Sequence, residues 1–139
     1  MPCLAGSYNQ AVGPILNIGI LPPSSGPIVP GVSPQVTLFP SLIDTGASNT
    51  CISPQVAQVL SLRPMGLRQM ISATQVAPVN VYLVDLAIPF GAATFFRQGT
   101  QVLEFTPPQG SPFQLLLGRD VICLGILTLS FDGHYSFSL

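Results

Sequence analysis

Leu42-Ile43-Asp44-Thr45-Gly46-Ala47-Ser48 is the stretch on which the fold turns. An apolar run that ends in an aspartate, a hydroxyl residue and a glycine is a strand breaking into a tight loop. Thr45 can hydrogen-bond at the base of that loop, and Gly46 lets the backbone approach where a side chain would clash. The triplet alone is weak, because Asp before Thr-Gly is commonly a turn residue that bonds its own backbone. Its setting gives it weight. Gln35 to Ile43 reads as a strand running straight into Asp44, and a second apolar run, Leu115-Leu116-Leu117, ends in Gly118-Arg119-Asp120. That second run is expected to be a buried strand followed by a short helical turn closed by Gly125, with Asp120 where acids favour a helix N-terminus.

Working outward, Gly13 to Leu21 predicts an earlier strand, with residues 1–12 as an N-terminal tail. Pro22 to Pro34 is a Pro/Gly-rich loop, since proline lacks the donor a central strand needs. Thr50 to Ile52 predicts a short strand, and Ser53-Pro54 starts a helix with a hydroxyl cap and Pro at the first helical position. Leu67 to Ser72 and Pro78 to Ile88 predict a hairpin around Ala73-Thr74-Gln75-Val76. Ala92 to Arg97 and Thr100 to Phe105 predict another across Gln98-Gly99, and Ile126 to Phe131 with His134 to Leu139 a third across Asp132-Gly133. Asp85 and Glu104 are expected on solvated faces, Tyr82 packed with its hydroxyl wet, and His134 at the surface.

The chain has 139 residues, enough for one domain, and its 15 Pro and 13 Gly leave little room for long helices. An all-β class with one or two short helices follows. Only 6% of residues are charged, against about 25% in an ordinary soluble domain. Lysine is absent, and Arg63, Arg68, Arg97 and Arg119 form no basic stripe, so nucleic acid is excluded as a partner. Residues 1–43 carry no charge, yet Pro interrupts every apolar candidate, and Ile15 to Leu21 is far shorter than the roughly 20 residues of a membrane span. With no charged start and cleavage site in order, a secretory signal is not expected either, and the chain is read as soluble and cytoplasmic. Three scattered cysteines and one histidine indicate neither a metal site nor a disulfide framework, and Cys51 and Cys123 are expected to be buried. A mean hydropathy of +0.57 with so few charges points to an apolar surface and self-association.

The chain resembles the retropepsin-like aspartic proteases, the family of the retroviral proteases and related single-domain proteins. The resemblance covers residues 13–139 and rests on three stretches. They are Leu42 to Ser48, the hairpin Gln69-Met70-Ile71-Ser72 through Pro78-Val79-Asn80-Val81 in the place of the family's flap, and Leu116-Leu117-Gly118-Arg119-Asp120. It implies a closed β-barrel and a homodimer with a cleft on the two-fold axis. In that dimer Asp44 from each subunit, with Thr45 and Gly46, forms a catalytic pair. Two carboxylates about 3 Å apart share one proton, so one activates water and the other protonates the peptide carbonyl. The substrate is then an extended polypeptide bound as an added strand, contacted by Ala47 and Ser48 and by Ser72, Ala73, Thr74 and Gln75 of the flap. Gly118, Arg119 and Asp120 take structural roles, and no metal or organic cofactor is implied.

Three features depart from the retroviral pattern. Ser48 stands where those members carry an acid that anchors the arginine corresponding to Arg119, leaving Asp120, Asp132 or the C-terminal carboxylate as its partner. The flap tip lacks glycines, and the stretch from Pro22 to Pro34 is an insertion. Two other readings compete: a non-catalytic module that binds peptides or dimerises through the same groove, and a structural barrel subunit that polymerises. The terminal hairpin, with Leu127, Leu129, Phe131, Tyr135 and Phe137, and the uncharged N-terminal strand are the expected dimer contacts.

Overall fold

Alternation of side chains along short apolar strands builds the domain, and the computed structural model describes residues 2–24, 36–71 and 74–139. Strand β1 (Cys3–Ser7) is followed by β2 (Ile15–Leu21), β3 (Thr37–Ile43), β4 (Cys51–Ile52) and helix α1 (Pro54–Val59). Then come β5 (Gly66–Ile71), β6 (Val76–Phe90), β7 (Ala93–Glu104), β8 (Leu115–Leu117), α2 (Arg119–Ile122), β9 (Ile126–Leu129) and β10 (His134–Ser138). The helix α1 starts as expected, with Ser53 Oγ accepting the Val56 N–H at 3.3 Å and Pro54 in the first turn. Of the Pro/Gly-rich loop only residues 22–24 are described.

Six strands close into a barrel. Their order is β2-β3-β8-β4-β7-β6, and pairing of Gly19 to Leu21 with Asp85 to Ala87 joins β6 back to β2. Closure leaves these strands without free edges and lets their inward side chains fill one core. Ile18, Ile52, Val84, Leu86, Val102, Leu115 and Leu117 are among the residues fully shielded there. Strand β5 stands outside the ring, paired only with β6, and the two form the flap hairpin. A second sheet of order β1-β10-β9 packs on the same core through Phe137, Leu4, Leu127 and Tyr135.

Several expectations from sequence are corrected. Residues 3–7 are no tail: β1 pairs with β10 from Cys3↔Ser138 to Ser7↔His134. Gln98-Gly99 makes no hairpin turn, because β7 runs unbroken along β6 from Phe90↔Ala93 to Val81↔Leu103. The turn signal is used as a bulge: Val84 faces Thr100 and Leu86 faces Arg97, so Asp85 meets both Gln98 and Gly99, and Gly99 takes the left-handed φ of 65°. Asp85 is accordingly buried, accepting the Gly99 N–H at 2.9 Å and, on its other oxygen, the Ser24 N–H and hydroxyl at 3.0 and 2.7 Å. It pins the start of the Pro-rich loop to the barrel. Glu104 is half-buried and accepts the Tyr82 hydroxyl at 2.9 Å, so that hydroxyl is not left to water. Lastly, Cys123 is exposed where burial was expected.

Candidate active site

Strands β3 and β8 lie parallel, Ser41 to Ile43 beside Leu115 to Leu117, and end at the same level. The Asp44 loop and the Gly118 turn therefore leave the barrel side by side, joined by the Asp44 N–H to Leu117 O bond of 3.0 Å. Gly118 fits because nothing larger does. Its φ of −90° is open to any residue, but a Cβ there would stand 2.4 Å from the Asn49 carbonyl carbon. Steric contact across the crossing strands, and not backbone freedom, selects the glycine.

The loop is tied from beneath by Thr50. Its Oγ1 accepts the Gly118 N–H at 3.1 Å and donates to Asp120 Oδ1 at 2.8 Å, while its own N–H meets Asp120 Oδ2 at 3.1 Å. Thr50 is wholly buried, so each of these bonds replaces one to water that the site has excluded. Asp120 thus does more than start a helix. Thr45 plays a different part from the one expected: its side chain is exposed and makes no hydrogen bond among the described residues, and only its carbonyl is held. Sequence reasoning missed Thr50, whose one signal was its place immediately before the short apolar strand β4.

Arg119 crosses the outer side of the loop. It donates to Thr45 O at 2.8 Å and to Ser48 Oγ at 3.0 Å, and its N–H meets Ala47 O at 2.9 Å. None of the three carboxylates proposed for it is its partner. Ser48 occupies the very position where an acid was missing, so a neutral hydroxyl does the anchoring, and among the described residues the guanidinium has no ion pair.

Asp44 sits half-buried at the open side of this scaffold. The Gly46 N–H donates to Oδ1 at 2.9 Å, which fixes the carboxylate's orientation, and a Cβ on Gly46 would come within 3.2 Å of the same oxygen. The carboxylate opens into a cleft of about 560 Å³ lined by the loop on one side and by Arg68 to Ile71 of β5 on the other. Ala47 and Ser48 line it as expected. Ser72 and Ala73 lie outside the described residues, and Thr74 and Gln75, at the exposed flap tip, are not among its described lining residues. The cleft's apolar floor, formed by Cys51, Leu103, Phe105 and Leu116 with Met70 above, was not legible from sequence because it gathers residues of four separate segments.

Burial pushes the Cys51 thiol up to about 12 from an ordinary 9.0, with the charges of Asp120 and Asp44 adding to the effect. It is therefore a protonated apolar wall of the cleft at neutral pH, donating weakly to Asn49 O at 3.3 Å. Tyr82 is likewise raised, by burial first and by its bond to Glu104 second.

A closed six-strand barrel with a flap hairpin and a single loop aspartate held at the crossing of two parallel strands defines an acid-protease domain of the retropepsin-like kind. Residues 35–121 match the family described as Aspartyl protease, and the chain belongs to that family. The solved structure of a retropepsin-like aspartic protease from Rickettsia conorii matches with a TM-score of 0.58 over 97% of this chain and 89% of that one, at 13% identity, which shows the shared fold. No curated protein matches the sequence. Among the described residues no helix is long and apolar enough to cross a membrane.

Proposed function

We propose that the protein is an aspartic endopeptidase whose catalytic pair is assembled from Asp44 of two copies of the chain. The observation that carries the reading is that Asp44, oriented by Gly46 and set on a rigid crossing, is the one acid among the described residues lining the cleft. The chemistry needs two carboxylates, so the second comes from another copy, and a two-fold axis through the Asp44 loops is the simplest arrangement. The ionised member takes a proton from a water as its oxygen attacks the peptide carbonyl carbon, and the protonated member gives its proton to the carbonyl oxygen. The tetrahedral adduct then collapses: the C–N bond breaks as the pair's proton passes to the leaving nitrogen, and one hydroxyl of the adduct returns its proton to the pair as it becomes the new carbonyl oxygen, so the pair again holds one proton. An extended polypeptide fits the open cleft between the Asp44 loop and the flap.

Exposed apolar residues on and beside β9 supply the glue for such a dimer. Leu129 and Phe131 are solvent-facing, as expected of contacts, and Leu124 and Ile126 join them. Phe137 is not available, being wholly buried in the core, and Leu127 and Tyr135 are half-buried against it. Incubation with a diverse peptide mixture from pH 3 to 8, with products read by mass spectrometry, tests the activity, and dilution tests the assembly. Specific activity falls as the dimer dissociates. Constant specific activity at concentrations where sedimentation finds only monomer rules out the shared pair.

A further inference from the structure

The flap carries a charge that the catalytic reading does not use. Side chains two residues apart leave a strand on the same face, so Arg68 and Met70 point the same way from β5. Met70 settles which way: its side chain packs on the cluster of Cys51, Val81 and Leu103 beneath the flap. Arg68 therefore stands over the same cleft and lines it together with Asp44. Arg97 and Arg119 are committed to backbone carbonyls, of Asp120 and Thr45, at 2.7 and 2.8 Å. Arg68 makes no hydrogen bond and no ion pair among the described residues. In a chain with only four cations, one of them stands above an apolar floor with no partner among the described residues, a few residues from the flap tip.

We propose that Arg68 selects an acidic side chain, glutamate ahead of aspartate, in the polypeptide segment lying across the cleft. The two methylenes of a glutamate cover the apolar surface of Met70, Leu103 and Leu116 while its carboxylate meets the guanidinium at the rim, where two parallel N–H···O bonds can form. Bound chain covers the pair from solvent, which strengthens it relative to an open surface pair. The inference rests on the endopeptidase reading, and its test separates the two. Extended peptides of about ten residues, long enough to span the cleft as a strand, carry a single Glu, Gln or Lys stepped along an otherwise neutral sequence.

Cleavage by the wild type is compared with that by Arg68→Gln and Arg68→Glu, and binding of the same labelled peptides to Asp44→Asn protein, with and without Arg68→Gln, is read by fluorescence anisotropy. At one position the wild type favours Glu over Gln by about tenfold in kcat/KM, or about 1.4 kcal/mol, carried mainly by KM and weakened by salt. Arg68→Gln removes the preference, and Arg68→Glu transfers it to Lys. Equal cleavage of Glu and Gln peptides at every position, or a preference unchanged in Arg68→Gln, overturns the role of Arg68 and leaves the endopeptidase standing. Glu-selective binding that depends on Arg68, without cleavage by the wild type, supports the role and overturns the endopeptidase. Peptides that are neither bound nor cut overturn both.

Discussion

The two walls of the cleft are built on opposite principles. On the barrel side, the Asp44 loop is held by Thr50, Arg119, Asp120 and Leu117, which bond its backbone or its supporting turn from within the chain. On the flap side, β5 meets only β6, and Leu67, Ile71 and Val76 are 71, 79 and 65% exposed. Large apolar side chains left that open gain nothing from the isolated chain, since burial is what stabilises them. The barrel wall is tied by bonds within the chain, whereas the flap leaves its apolar side chains open.

The contrast can be broken most severely at Asp44. Asp44→Asn keeps the oxygen that accepts the Gly46 N–H but can neither act as base nor share a proton, so kcat/KM falls by about a thousandfold or more with the thermal midpoint unchanged. Mixed in excess with wild type, the same variant poisons activity by forming mixed dimers. Activity retained in this variant removes Asp44 from the chemistry. Gly118→Ala strikes the scaffold instead: the added methyl meets Asn49 backbone, which cannot yield, and urea denaturation should report a loss of about 3 kcal/mol. Thr50→Val leaves the Gly118 N–H and Asp120 Oδ1 without the hydroxyl that served both, while the backbone bond to Asp120 Oδ2 remains, and should destabilise by about 2 kcal/mol. A stability equal to wild type would show that the loop does not depend on this tie.

The flap should answer differently. Ile71→Ser is expected to leave the unfolding free energy within about 0.5 kcal/mol, while kcat/KM drops by about tenfold through lost contact with substrate. The smallest effect concerns Cys51. Its thiol is raised in the folded chain from 9.0 to about 12, so the unfolded chain releases the proton first. Stability is full below pH 9 and declines as pH rises towards 12, at up to about 1.4 kcal/mol per pH unit from this group. Tyr82 and Tyr135, also raised by burial, act in the same direction. Cys51→Val should lessen the slope without abolishing it, and a slope unchanged in that variant removes the thiol as a cause.

Much of this was open to reading along the chain. Asp44 after an apolar strand, Gly118 after another, the Ser53-Pro54 helix start and the Asp132-Gly133 turn are local signals, each decided by residues within a few positions of one another. Hydrophobic alternation and the density of Pro and Gly likewise determine an all-β domain, because the strand period and the turns are properties of neighbouring residues. Tertiary structure alone decided which partner each polar group found. Thr50 ties the loop in place of Thr45, Ser48 holds Arg119, Gln98-Gly99 serves as a bulge against Asp85, and Arg68 stands above the cleft. These choices join residues up to 71 positions apart, and they depend on which groups closure of the barrel deprives of water. A hydrogen bond's partner is set by that proximity and burial, which no stretch of sequence contains.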